Sequence, residues 1–384
     1  MHKGGDEIMA VLVKSGGGAK GGFPNGTEWT KCYDSESTSR GTTHIYHEGG
    51  IWIAIKDKAL YSLDGKTWIQ SDMPNYRCNE LCYANGIWHL YHSSGTVAYY
   101  STDGKTWTLL SVPSGLSVSY ASLNITYGGG TWIWYNKNGN GVAYSKNGID
   151  FSMCSTFTST GCHDIIFAGG KWIAGSSNNK GIYYSIDGIT WTQTNITSGA
   201  FNYLYYSDGM WHASKLNDGG LYYSLDGITW TQTNITDGLF NVYNANGMRV
   251  AFSSYYGAKK GIYYSLDGIT WTQTNITSGT LYIPYYSNGI WHTISSNVLY
   301  YSLDGITWTK SDFTKVLYIS YANMVWVLSV NSDALYYSLD GITWIKSNIT
   351  FVNNGGHNPL NANCIWVVGD YYGNLYYSVT WEPS

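Results

Sequence analysis

Three observations in the sequence predict an all-β fold, a single β-propeller of nine four-stranded blades of about 39 residues. The string Ser-x-Asp-Gly-x-Thr-Trp recurs along the chain. A second string, Asn/Gly-Gly-x-Trp, alternates with it. Between them lie runs rich in Tyr, Ile, Val, Trp and Thr, bounded by short glycine-containing turns, and nothing reads as a helix of useful length.

The first string ends at Trp68, Trp107, Trp191, Trp230, Trp271, Trp308 and Trp344. A worn copy, SKNGIDF, ends at Phe151, another, PNGTEW, ends at Trp29, and a clipped YYSVTW ends at Trp381. From Trp29 to Trp344 the steps are 39, 39, 44, 40, 39, 41, 37 and 36 residues. The second string occurs nine times, its fourth residue being Trp52, Trp88, Trp132, Trp172, Trp211, Arg249, Trp291, Trp326 and Trp366. Each unit therefore holds two hairpin signals, one turning near Ser-Asn-Gly and the other at Asp-Gly.

The residues of the first string suit a folding device. The turn aspartates Asp64, Asp103, Asp187, Asp226, Asp267, Asp304 and Asp340 are placed to accept bonds from backbone N–H groups just ahead. Glycine supplies the positive φ of the turn. Thr and Trp open the next strand, where the indole buries against a neighbour and its N–H seeks a carbonyl. These aspartates are expected to be structural, neither catalytic nor metal-binding.

The ends fit a ring. The last unit lacks an Asp-Gly turn, and the surplus strand NGTEWTKC near the N-terminus is expected to dock on it and close the circle, covering an exposed edge. Residues 1–22, rich in glycine, read as a flexible leader or attachment arm, and 23–384 as the propeller.

Composition excludes several functions. Charged residues are 12%, aromatics 17%, and the net charge is −4, so there is no electrostatic footprint for nucleic acid. No run is apolar for the length of a membrane helix, and the N-terminus has no apolar stretch of signal-peptide length. The chain is therefore expected to be made in the cytoplasm and to reach a virion or the cell exterior after lysis. The six cysteines, Cys32, Cys78, Cys82, Cys154, Cys162 and Cys364, form no Cys-x-x-Cys pair and read as reduced thiols, with no metal and no cofactor called for. The Asn-Ile-Thr strings at Asn124, Asn195, Asn234, Asn275 and Asn348 read as repeat chemistry rather than as glycan acceptors.

The strings YSLDGKTW, YSTDGKTW and YSLDGITW resemble the Asp-box, or BNR repeat, one residue shorter between Asp and Gly than its commonest form. Across 23–384 the tandem units also resemble propeller modules of bacteriophage tail and receptor-binding proteins. This resemblance implies a propeller with the Asp-box on an outer hairpin. It implies little about activity, because the motif is structural.

A site is sought on the innermost strand, which precedes each Gly-x-Trp. Seven residues before the Trp position stand Ile45, Leu81, Ile125, Ile165, Leu204, Val242, Pro284, Ile319 and Pro359, an expected buried ring. One residue earlier stand His44, Glu80, Asn124, Asp164, Tyr203, Asn241, Ile283, Tyr318 and Asn358, and alternation turns these to the other face. His44, Glu80, Asn124, Asp164, Asn241 and Asn358 are the candidate ligand-binding girdle at the channel mouth; the competing reading is blade-to-blade hydrogen bonding. His89, His212 and His292 share one repeat position and read as structural rather than metal-binding. With only Arg40, Arg77 and Arg249, the chain is poorly equipped for a sialidase-type arginine triad. Another glycoside hydrolase would pair Glu80 with Asp164. The favoured function is non-catalytic recognition of a glycan or cell-surface receptor, with a glycoside hydrolase and a ligand-free architectural scaffold as alternatives.

Overall fold

The computed structural model describes residues 30–33, 44–55, 59–73, 78–92, 97–116, 123–137, 141–157, 160–217, 219–253, 261–279, 281–282, 284–350, 359–362, 365–369 and 374–379. Those residues form nine four-stranded antiparallel sheets, the blades of one propeller. In the first eight, four consecutive strands pair in chain order. The fourth blade is representative: Cys162–Ala168, Lys171–Ser176, Ile182–Ser185 and Thr192–Gln193. The expected leader, residues 1–22, lies outside the described residues.

The ninth blade closes the ring as the sequence predicts. Its strands Leu360–Ala362, Ile365–Gly369 and Leu375–Val379 are joined by Thr30–Tyr33 from the other end of the chain. Thr30 pairs with Tyr377 and Lys31 with Tyr376, antiparallel.

The core lies between blades rather than within them. Nine clusters of buried side chains are found, and each spans two successive blades. One of them unites Val367 and Leu375 of the last blade with Trp52, Ala54, Leu60 and Trp68 of the first, so the ring is continuous.

Seven of the Gly-x-Trp tryptophans pack on the aromatic residue opposite them on the innermost strand, while Trp366 of the ninth blade faces Asn361. Tyr83–Trp88, Tyr206–Trp211 and Tyr321–Trp326 have ring centroids 4.5, 4.6 and 4.7 Å apart. The sixth blade replaces both partners at once. Asn244 faces Arg249, whose guanidinium lies 3.8 Å from Asp208 on the fifth blade, and Asn244 also donates to Asp208. The turn ahead of the tryptophan is a two-residue hairpin loop with both residues at positive φ, as at Asn85 (47°) and Gly86 (78°).

Candidate functional site

The outer hairpin of each of the first eight blades is built on one hydrogen-bond pattern. In the first blade Ser62 Oγ donates to Asp64 Oδ1 and accepts from Gly65 N–H at 2.8 Å. Asp64 Oδ1 also accepts from Lys66 N–H at 2.8 Å and Thr67 N–H at 2.7 Å, while Thr67 Oγ1 donates to Oδ2. The serine, glycine and paired N–H contacts recur at Asp103, Asp187, Asp226, Asp267, Asp304 and Asp340. The N–H groups of Thr270 and Ile269 hold the Asp267 carboxyl down at about 2. At Asp64, Asp103, Asp226 and Asp340 partial burial pushes upward, but the same donors outweigh it and the group again sits at about 2. Each carboxylate is thus a fixed acceptor inside its own turn.

The worn copy in the third blade keeps the pattern by exchanging two residues. Asn147 takes the aspartate position and accepts from Ile149 and Asp150 N–H, both at 2.9 Å. Its amide Nδ2 then donates to Asp150 Oδ2 at 2.8 Å, where the other turns have a threonine donating to an aspartate.

Two devices join these turns to neighbouring blades. His89, His212 and His292 lie 2.7, 2.8 and 2.8 Å through Nε2 from the carbonyls of Gly148, Gly268 and Gly341, each in the turn of the following blade. Because a carbonyl only accepts, these imidazoles carry hydrogen on Nε2. Burial lowers them to about 4 against the opposing pull of the carbonyl, so they are neutral near pH 7. Lys171 makes an equivalent tie to the Asp226 carbonyl, and Thr131 one to that of Asp187.

The second device is the asparagine of the Asn-Ile-Thr strings. Asn234 accepts from Trp271 N–H at 2.8 Å and donates to Trp271 C=O at 2.9 Å. Asn195 grips Trp230, and Asn275 grips Trp308, in the same two-pronged way. These side chains occupy the free edge of the next blade's outer strand. Three of the five Asn-Ile-Thr strings thus carry repeat chemistry, while Asn124 lies on an innermost strand.

Of the marker tryptophans, Trp68, Trp191 and Trp230 donate Nε1–H to the turn glycine carbonyl at 3.2 Å. Trp107, Trp271 and Trp308 do not find the expected carbonyl; their N–H groups are buried without a partner among the described residues. For these three the gain comes from ring packing alone.

The girdle residues separate into different environments. His44, Asn124, Asn241 and Tyr318 are half-buried, and Glu80 is exposed. Register places His44 opposite Ile55, Glu80 opposite Tyr91, Asn124 opposite Tyr135, Asn241 opposite Phe252 and Tyr318 opposite Ser329. These are equivalent positions in five blades. Asp164 shares the register, opposite Gly175, but is 1% exposed. Its Oδ2 accepts from Leu204 N–H of the fifth blade at 2.8 Å, and its Oδ1 lies 3.4 Å from Tyr135 Oη of the third. Asp164 is therefore a tie across three blades rather than an open ligand contact.

In the fifth blade a β-bulge separates Asn202 from Leu204. Tyr203 is the extra residue, at φ 50°, and Asn202 holds the girdle register instead. Asn358 and Ile283 lie outside the described residues.

One surface feature was missed by reading the inner strands. Leu63, Ile186, Leu225, Leu266, Leu303 and Leu339 all occupy the x position of Ser-x-Asp-Gly, and all are exposed, Leu266 by 70%. Beside Leu266, a shallow hollow is lined by Tyr264, Ser265, Asp267, Thr270 and Thr272. The signal was present in the sequence, since an apolar residue recurred at one position of a turn that the resemblance placed on an outer hairpin.

No group of three or more metal-ligating side chains is found among the described residues. No helix of the described residues is long and apolar enough to cross a membrane. No family model and no curated protein sequence matches the chain. Solved structures do. The computationally designed Ika8 protein is similar at TM-score 0.53 and 12% identity, over 80% of this chain and 98% of that one. The dihydro-heme d1 dehydrogenase NirN is similar at TM-score 0.58 and 9% identity, over 87% and 80%. BamB from Moraxella catarrhalis is similar at TM-score 0.52 and 8% identity, over 91% and 99%. At such identities the likeness is one of fold.

Proposed function

We propose that this propeller is a non-catalytic recognition module for a glycan or a cell-surface partner, like the phage tail and receptor-binding modules its tandem units resemble. The carrying observation is the repetition of one exposed surface. An apolar side chain stands in solvent at the same turn position of six blades. A series of equivalent exposed positions suits many weak contacts acting together, whereas catalysis needs unlike groups converging on one point.

The hydrolase alternative requires two carboxylates free to face substrate. Glu80 is exposed, but Asp164 is spent on Leu204 and Tyr135. The recognition reading asks less of the girdle: His44, Glu80, Asn124 and Asn241, with Asn358, would supply hydrogen bonds rather than proton transfer. In this reading the chain works outside the cell, as part of a particle.

The test is a glycan array probed with the purified chain and with an E80Q/N124A/N241A variant. Selective binding to a few related sugars supports the recognition reading, and its loss in the variant assigns the girdle. A blank array together with no retention on intact cells overturns it.

A further inference from the structure

We infer that the outer hairpins of the fourth to seventh blades form a row of equivalent binding hollows for neutral, hydroxyl-rich pyranose sugars. The inference rests on the recognition reading above and names its ligand class and its place on the rim.

The hollow of the sixth blade shows the unit. Tyr264 and Thr272 are directly paired across the hairpin, so their side chains share a face. Tyr264 is half-buried and Thr272 exposed, while Leu266 projects from the turn between them. Asp267 and Thr270 complete the lining. Asp267 Oδ1 is saturated by Ser265 and the N–H groups of Ile269 and Thr270; the Thr270 hydroxyl also donates to this carboxylate, which keeps one remaining accepting site.

A ligand that fits must donate hydrogen bonds to a carboxylate, exchange them with threonine hydroxyls, and rest an apolar face on Leu and Tyr. A pyranose ring has both aspects: hydroxyls around its edge and C–H groups on its face. An anionic sugar is disfavoured by the fixed negative charge. A peptide adding to the outer strand is disfavoured too, because Asn234 already occupies the N–H and C=O of Trp271 at the start of that edge.

The same set occurs in four successive blades: Tyr184, Ile186, Asp187, Thr190 and Thr192; Tyr223, Leu225, Asp226, Thr229 and Thr231; the sixth blade; and Tyr301, Leu303, Asp304, Thr307 and Thr309. Elsewhere it is broken. The first and eighth blades carry Ile69 and Ile345 where the others have the outer threonine. The Nζ atoms of Lys105 and Lys66 sit over the rings of Tyr61 and Tyr377, and isoleucine stands at the position of those lysines from the third blade to the eighth. Isoleucine thus replaces the turn lysine in all four blades of the row; Lys171 reaches the Asp226 backbone carbonyl of the fifth blade and is held there.

The probes are the methyl glycosides of glucose, galactose, mannose and N-acetylglucosamine, each free in ligand-observed NMR and each displayed on a polymer. Two variants are compared with the parent: L266K alone, and I186K/L225K/L266K/L303K. All four side chains are solvent-exposed, so thermal unfolding serves as the control for folding. We expect at least one neutral glycoside to bind, sialylated and sulfated glycans not to bind, and polymer binding to weaken by ~100-fold or more in the four-blade variant, with L266K in between. Neutral sugar binding that survives the four-blade variant but is lost in E80Q/N124A/N241A overturns the rim site and leaves the recognition reading standing. Preference for sialylated or sulfated glycans overturns the ligand class. No sugar binding by the parent chain overturns both the inference and the glycan form of the recognition reading.

Discussion

His292 Nε2 lies 2.8 Å from the carbonyl oxygen of Gly341 in the following blade, and its Nδ1 is buried without a partner among the described residues. His89 and His212 repeat this arrangement at two other interfaces. A second proton would have to enter at Nδ1, where no acceptor awaits it.

Acid should therefore weaken these three interfaces. Unfolded imidazoles titrate near 6.5 and the folded ones at about 4. Above 6.5 both states are neutral and the stabilisation is complete. As pH falls from 6.5 toward 4 the unfolded chain binds protons that the folded chain refuses, at a cost on the order of 2–3 kcal/mol per histidine. Other blades place Ile53, Ile133, Val250 or Val327 here. The variant H89I/H212V/H292V should show a flatter urea midpoint between pH 7 and 4.5 than the parent. An equally steep decline would remove the histidines as the acid-sensitive element.

The third blade suggests an exchange experiment in the fifth. T229D sets a second carboxylate against Asp226 and should destabilise by repulsion. Adding D226N recreates the Asn147–Asp150 arrangement, in which the amide donates to the carboxylate. The double variant should recover about 1 kcal/mol or more of the loss in a double-mutant cycle. Additive effects would mean that the two positions do not interact.

The asparagine clamp is incomplete in the first blade, where Asp72 accepts from Trp107 N–H at 3.0 Å but has no donor for the carbonyl beside it. D72N supplies one and should stabilise by about 0.5–1 kcal/mol. Conversely, N234D removes the donor to Trp271 and should destabilise by about 1 kcal/mol or more. Chemical denaturation of both variants measures the pair; a change of the same sign in the two would contradict the clamp.

How much of this was legible in the sequence depended on range. The turn pattern spans six residues, so Ser62, Asp64, Gly65 and Thr67 could be read as one unit before any partner was known. Blade number followed from counting the hairpin strings, because eight of the nine blades bury a tryptophan there and the sixth keeps the turn glycine ahead of Arg249. The histidines were readable as structural from their shared position, but not their partners, which lie 49 to 59 residues away. Asp164 looked like its girdle companions because period-two alternation carries no record of what the next blade presses against it. Tyr203 shifted because a bulge is a property of pairing, invisible in a single strand.

Met324 offers a gain in the eighth blade. Its φ is +62°, and the corresponding hairpin positions of other blades hold Gly86, Gly130 and Gly289. A side chain there bears the left-handed backbone cost without burying anything, since Met324 is 69% exposed. M324G should stabilise by about 0.5–1 kcal/mol, read as a raised denaturant midpoint. A lowered midpoint would show that the extra freedom of glycine in the unfolded chain outweighs the relieved strain.

Ring closure makes the last blade depend on both ends of the chain. Thr30–Tyr33 supplies its outer strand, and Cys32 packs into the cluster that joins the last blade to the first. Removing residues 1–34 leaves that blade three-stranded, with the edge of Leu375–Val379 open to solvent. An open edge pairs with whatever strand it meets. The truncated chain should therefore unfold at a lower temperature and self-associate, and a synthetic peptide spanning 27–36 added in trans should reverse both effects. Light scattering and thermal unfolding with and without the peptide decide it. Truncation that leaves the chain monomeric and equally stable would mean that the contacts of Trp52 and Trp68 with Val367 and Leu375 hold the ring by themselves.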